Sequence, residues 1–212
     1  LYVTTGDAAE RARAQDVGWL GGKILRLNDD GSFPPDNPVL QSPLYAIGFR
    51  NPQGLDWHPT NGALFETEHG PSGFDGPGGG DEVNLVEKGK NYGWPVIHHT
   101  QTNEGMEAPL VEYTPAVAPA SGMFYRGNAF PQFKNNFLFG GLRGQRIQRI
   151  VVDESNPRKV LRQEALLLSE FRRIREVSEG PDGLIYFSTS NRDGRAQPFP
   201  NDDRIVRLVP VK

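Results

Sequence analysis

Arginine, asparagine and glutamine crowd around one proline in Gly48-Phe49-Arg50-Asn51-Pro52-Gln53-Gly54-Leu55. Proline fixes φ and removes a backbone donor, so strand pairing stops there and the polar tips can turn towards a cleft. An arginine in such a place offers a planar fork that matches a carboxylate bidentately. More cations follow in Arg172-Arg173-Ile174-Arg175 and in Leu142-Arg143-Gly144. In a strand, Arg173 and Arg175 share one side and Ile174 takes the other. Two guanidiniums side by side repel unless an anion lies between them. The chemistry to expect is capture of a polycarboxylate or phosphate; an ordinary solvated turn and a charged edge strand are the plainer alternatives.

A second kind of chemistry is carried by Glu68-His69-Gly70-Pro71 and the later Gly80-Asp81-Glu82. A Gly-Pro turn exposes backbone carbonyls, and carbonyls with carboxylates are what a hard cation such as calcium binds. The spacing is not that of an EF-hand loop, and a flexible glycine-rich loop is the alternative. The glycines at 76–80 are not followed by Gly-Lys-Ser/Thr, so they do not form a phosphate loop. Gly89-Lys90-Asn91-Tyr92-Gly93-Trp94-Pro95 reads as a turn anchored by aromatics. Of the four histidines, His98 and His99 are adjacent and would point apart in an extended chain, a poor chelating pair. Neither His-Glu-x-x-His nor Gly-x-Ser-x-Gly occurs.

The elements that must hold these groups follow one repeated pattern. Leu1-Tyr2-Val3-Thr4-Thr5, Leu64-Phe65-Glu66-Thr67-Glu68, Phe137-Leu138-Phe139-Gly140-Gly141 and Ile185-Tyr186-Phe187-Ser188-Thr189 are short apolar strands that end in small or polar residues. Asn61-Gly62 and Asp182-Gly183 are turn dipeptides that tolerate positive φ. After each comes a second strand: 23–27, 82–86, 146–150 and 204–208. Their period-two alternation predicts one buried and one wet face. Such pairs, recurring every ~45–75 residues, predict a β-propeller, with ligands held by loops at one end. The polar stretches 69–81 and 95–108 are the expected long loops. Residues 8–16 and 158–170 are rich in helix formers and are the two places where helix is expected.

Composition limits the classes. Among 212 residues there are 25 Gly and 18 Pro, too many for a helical bundle, while 12 Phe, 6 Tyr and 3 Trp supply a core that a disordered chain lacks. A net charge of −3 gives no nucleic-acid footprint. No apolar run reaches the ~18 residues of a membrane span. With no cysteine, disulfides and thiolate metal sites are excluded. The chain starts at Leu1 without Met, and four repeats are too few for a closed ring, so the expectation is one partial propeller domain over 1–212 with any signal peptide upstream.

In order and composition these motifs resemble the soluble PQQ-dependent glucose/sorbosone (aldose sugar) dehydrogenase family. The matching signatures are Thr5-Gly6-Asp7, Leu20-Gly21-Gly22-Lys23-Ile24-Leu25-Arg26, the run 50–55, the run 68–71, Asp81-Glu82-Val83-Asn84-Leu85, the run 91–95 and Arg173-Ile174-Arg175. The resemblance implies a six-bladed propeller, of which this chain holds about the last four blades. It implies oxidation of the anomeric carbon of aldoses to a lactone, with hydride passing to pyrroloquinoline quinone (PQQ), and a periplasmic or secreted location. Carried over by motif, Arg50, Asn51, Gln53, Arg143, Arg173, Arg175 and Thr189 contact the quinone. Gly70 and Pro71 hold the cofactor's calcium, Glu82 and Tyr92 a second, structural calcium, and Asp7 lies near cofactor and substrate. Two departures stand out: Arg143 replaces a lysine common in the family, and Thr114 or a neighbour stands where some members place a tryptophan. The family's catalytic histidine falls before Leu1, so this chain alone is expected to be inactive. A non-catalytic propeller binding module and a calcium-dependent lactone hydrolase are the rival readings.

Overall fold

Each of the four apolar segments becomes a strand, and each is paired with the strand that follows it. The computed structural model describes residues 1–211. Its first sheet runs β1 (Tyr2–Thr5), β2 (Lys23–Arg26), β3 (Leu44–Ile47), and its second runs β4 (Pro52–Trp57), β5 (Leu64–Glu68), β6 (Asp81–Val86), β7 (Val111–Tyr113). The third is β8 (Pro119–Phe124), β9 (Phe137–Gly141), β10 (Arg146–Asp153), β11 (Asn156–Leu166), and the fourth is β12 (Ile174–Glu179), β13 (Ile185–Thr189), β14 (Ile205–Arg207). In every sheet spatial order equals chain order, a meander. The pairings β1–β2, β9–β10 and β13–β14 are antiparallel. The two turn dipeptides behave as expected: Gly62 and Gly183 have φ of 70° and 71°, a region glycine enters without steric cost.

The chain divides into two compact units, Leu1–Gln53 with Glu68–Ala116, and Gly54–Thr67 with Val117 onwards. In the first, Phe49 stacks on Tyr92 at 4.7 Å, and Ile24, Leu44, Ala46 and Val83 are buried. In the second, Met123, Tyr125, Leu138, Ile147, Ile174, Val177, Ile185 and Phe187 pack as one cluster. Phe65, Phe124 and Phe137 add a group of rings 5.0–5.6 Å apart.

Three sequence expectations are corrected. The second strands were expected to show a wet face, yet Lys23, Glu82, Asn84 and Gln148 are buried, because both faces of these inner strands are covered. Lys23 compensates by donating to three carbonyls, Arg13 O at 3.2 Å, Ala14 O at 2.8 Å and Gly21 O at 2.7 Å. Burial still pushes its pKa down to about 8, against the pull of Asp16. No α-helix occurs among the described residues. The stretch 8–16 gives only a 3-10 turn at Arg11–Gln15, entered through Ala8 and Ala9 at positive φ. Within 158–170, the residues up to Leu166 lie in β11, paired along β10. Lacking an apolar stripe at helical spacing, that segment follows its sheet partner rather than its propensity. At the other end, β14 is only three residues long, sits at a sheet edge and leaves Ile205 82% exposed.

Candidate functional site

Pro52 opens β4, and the residues just before it stand at the wall of a cleft of about 710 Å³. Asp7, Arg11, Arg50, Asn51, Phe74 and Asp75 are among its lining residues. The Arg50 guanidinium donates from Nε to Asp75 Oδ2 at 2.7 Å, from one terminal nitrogen to His69 O at 3.3 Å and from the other to Ser72 Oγ at 3.0 Å. Arg11 reaches Asp75 O at 2.9 Å. Asn51 Oδ1 accepts from Gln53 Nε2 at 2.9 Å, which ties those two side chains together. Asp7 accepts from Trp94 Nε1 at 2.8 Å and from Ala9 N at 3.0 Å, so its carboxylate is fixed at the cleft wall.

Behind the cleft lies a buried acid pair. Glu68 Oε1 accepts from Arg50 N and from Asn51 N, the latter at 3.3 Å. Asn84 Nδ2 bridges Glu68 Oε2 at 3.4 Å and Glu82 Oε2 at 3.3 Å. Burial pushes Glu68 up to about 7, against the Arg50 and Asn51 N–H groups. Glu82 is held well above the ordinary carboxylate range, by burial first and then by the negative charge of Glu68. A buried pair of this kind is stabilised by protons or by a cation. The folded state therefore holds a proton on Glu68 that the unfolded chain releases at about 4.5. This contribution to stability is present below pH 4.5 and is lost as pH rises to about 7. In chelator-treated protein, the parent is expected to lose thermal stability relative to Glu68→Gln across that window. Parallel melting curves for the two proteins would remove Glu68 from this account.

Gly70 N donates to Asp81 Oδ1 at 2.8 Å, and Pro71 O accepts from Gly79 N at 3.3 Å. Tyr92, matched by motif to a cation site, donates from its hydroxyl to Leu85 O at 2.7 Å and accepts from Glu87 N at 2.9 Å. Its phenol thus holds the turn after β6. Among the described residues no three His, Asp or Glu side chains converge as a metal-binding set. Backbone carbonyls, such as those of Gly70 and Pro71, are also oxygens of the kind a hard cation takes.

In the second unit, Arg173 is buried just ahead of β12. It meets Asp193 Oδ2 from Nε at 3.0 Å and from a terminal nitrogen at 2.6 Å. Arg175 reaches the same oxygen at 3.7 Å from an exposed position, where the β12–β13 register slips. The anion that the sequence required between these two guanidiniums is thus a side chain of the chain itself. Thr189 Oγ1 accepts from Arg204 N at 2.9 Å and lies 3.5 Å from Asp202 Oδ1 and 3.4 Å from Asp203 Oδ1. Arg143 is exposed in the β9–β10 turn, anchored by its backbone N–H to Val117 O at 3.0 Å.

Sequence reasoning missed Asp75, Asp193 and the Asp7–Trp94 bond. Each is a loop or long-range partner that no local spacing reveals. The histidine expectation is corrected too: His98 Nδ1 and His99 Nδ1 stand 2.9 Å apart, because His99 adopts a φ of 58° rather than an extended one.

Four antiparallel meander sheets of this kind define a scaffold of the propeller class. The family model for glucose/sorbosone dehydrogenase matches residues 1–201, and the chain belongs to that family. It is 34% identical to the aldose sugar dehydrogenase YliI of Escherichia coli over 212 residues, covering 92% of this chain and 55% of that one. Among solved structures, it matches a Thermus thermophilus oxidoreductase assigned as a glucose dehydrogenase, with TM-score 0.86 and 46% identity over 98% of this chain and 61% of that one. It also matches the PQQ-bound aldose sugar dehydrogenase of Streptomyces coelicolor, with TM-score 0.84 and 33% identity over 98% and 57% of the two chains. The chain spans about half the length of the curated relatives it matches. Among the described residues, no helix is long and apolar enough to cross a membrane.

Proposed function

We propose that this chain is the cofactor-holding portion of a PQQ- and calcium-dependent aldose dehydrogenase, which oxidises the anomeric carbon of an aldose to the lactone. The observation that carries the reading is the Arg173–Arg175 pair, a buried and an exposed guanidinium that already converge on one carboxylate. PQQ presents three carboxylates, and Arg50, Arg143, Arg173 and Arg175 are the cations assigned to them, by charge-assisted hydrogen bonds. Asn51, Gln53 and Thr189 supply neutral hydrogen-bonding groups. The Gly70 and Pro71 carbonyls are assigned to the calcium on the cofactor, and Glu82 with Tyr92 to a second, structural calcium. The Glu68–Glu82 pair, in which burial raises both proton affinities and the negative charge of Glu68 raises that of Glu82 further, favours a cation close by. When bound, PQQ accepts the hydride and calcium polarises the quinone as a Lewis acid.

The chain's own residues bind and orient. Asp7, held by Trp94 and Ala9, places a fixed acceptor at the cleft wall for a sugar hydroxyl. A neutral sugar needs no charged clamp, so the arginines remain available to the cofactor. The general base is assigned to a residue outside these 212, and the chain by itself is expected to be inactive. Six blades, with about four of them here in one partial propeller domain, and a periplasmic or secreted location complete the proposal.

The test mixes the intact protein with PQQ, calcium and an aldose and follows bleaching of a redox dye. Bleaching that needs both PQQ and calcium is the expected result. Bleaching unaffected by leaving out PQQ would overturn the proposal. Lactone hydrolysis without dye reduction would favour the hydrolase reading instead.

A further inference from the structure

Two arginines assigned above to the quinone are each held by an aspartate that no motif marks. Arg50 Nε bonds Asp75 Oδ2 at 2.7 Å, with side chains only 12% and 6% exposed. Arg173 bonds Asp193 Oδ2 through Nε and one terminal nitrogen. The other carboxylate oxygen is used in the same way in both units. Asp75 Oδ1 accepts from Ser72 N at 2.7 Å, and Asp193 Oδ1 accepts from Arg195 N at 3.0 Å. Each carboxylate is thus anchored to the backbone of its own loop through one oxygen and grips an arginine through the other.

Asp75 meets Arg50 by its side chain and Arg11 by its carbonyl, and Asp193 meets Arg173 and Arg175. At Asp193 two guanidiniums face one carboxylate, which leaves one positive charge over, whereas among the described residues the Asp75 carboxylate faces Arg50 alone. A guanidinium carries five N–H donors. Both aspartates take the Nε side. For Arg173 the contacts are Asp193 and Ser190 O at 3.2 Å, and they leave N–H groups on the terminal nitrogens. The terminal nitrogens of Arg50 each give one N–H, to His69 O at 3.3 Å and Ser72 Oγ at 3.0 Å, and each keeps a second.

We infer that Asp75 and Asp193 are positioning residues that fix the planes of Arg50 and Arg173 and leave the remaining terminal N–H groups, those not used within the protein, for the carboxylates of an incoming ligand. The inference rests on the quinone reading above. A carboxylate that merely stood in for the ligand would be displaced on binding. The backbone anchors on the second oxygens argue against displacement. Burial pushes both aspartates up, but their N–H and guanidinium partners outweigh it and hold them below the ordinary carboxylate range, so they remain charged at neutral pH.

The experiment titrates the intact protein with PQQ in the presence of calcium and reads tryptophan fluorescence quenching, without sugar or turnover. Asp75→Asn and Asp193→Asn are each expected to weaken PQQ binding about 10–100-fold, the usual effect of removing a partner that orients a ligand-binding group. Asp75→Glu and Asp193→Glu are expected to recover most of the loss, which a general loss of folding would not show. Unchanged or tighter binding in the asparagine variants, with the parent binding normally, would overturn the inference and leave the quinone reading standing. A parent protein that does not bind PQQ at all would overturn both.

Discussion

Arg173→Ala in the intact protein is expected to abolish PQQ-dependent dye reduction and to weaken PQQ binding by at least about 30-fold. Truncating one partner of a buried, hydrogen-bonded charge pair costs about 2–5 kcal/mol, and about 1.4 kcal/mol corresponds to a factor of ten. Two losses combine here. The fork that would meet a ligand carboxylate is removed, and Asp193 keeps Arg175 at 3.7 Å as its cation, with Ser190 Oγ and Arg195 N as hydrogen-bond donors. The local charge then changes from net positive to neutral, so an anionic ligand loses its attraction as well as its hydrogen bonds. Arg173→Lys keeps the charge without the fork and should fall between the parent and the alanine variant, since lysine cannot bind a carboxylate bidentately. Equilibrium titration of PQQ into the three proteins checks the order. Full affinity in Arg173→Ala would remove this arginine from the site.

Gly70→Ala is the second substitution expected to have a large effect. A Cβ at Gly70 would lie 2.2 Å from Gly80 O and 2.3 Å from both Gly79 O and Gly80 C. All three are backbone atoms, so no side chain can rotate away and the loop itself must shift. Overpacking of this kind costs about 1–3 kcal/mol. The shift falls on the peptide whose N–H bonds Asp81 and on the neighbouring Pro71 carbonyl. Calcium activation in Gly70→Ala is therefore expected to need at least about tenfold more calcium, together with a lower melting temperature. A normal calcium titration would show that these carbonyls are not the ligands.

The fold could be read far into its detail from the sequence. The four strand pairs, their turn dipeptides and the two long loops all follow from local rules of alternation and turn chemistry. The strand β11 did not, because its residues favour helix in isolation and only the neighbour β10 makes it a strand. The burial of Lys23, Glu82 and Asn84 was hidden for a related reason. Alternation reports that residues point to opposite faces, but not that both faces are covered. At the site, the residues with unusual local composition were found: the Arg50 run, the Gly70-Pro71 turn and the Arg173/Arg175 pair. Their partners were not. Asp75 sits in a glycine-rich loop and Asp193 in a polar one, 25 and 20 residues along the chain from the arginines they grip. Nothing in either loop's composition sets that aspartate apart.

The last strand described, β14, pairs on one side only among the described residues, with β13. Such a border invites self-association, and proteins blunt it by keeping the strand short and placing basic residues around it. Both devices are present, since β14 spans only Ile205–Arg207, with Arg204 just before it and Arg207 closing it. The exposed Ile205 nonetheless remains a sticky spot, flanked by two ion pairs, Arg204 with Asp202 at 3.2 Å and Arg207 with Asp182 at 3.9 Å.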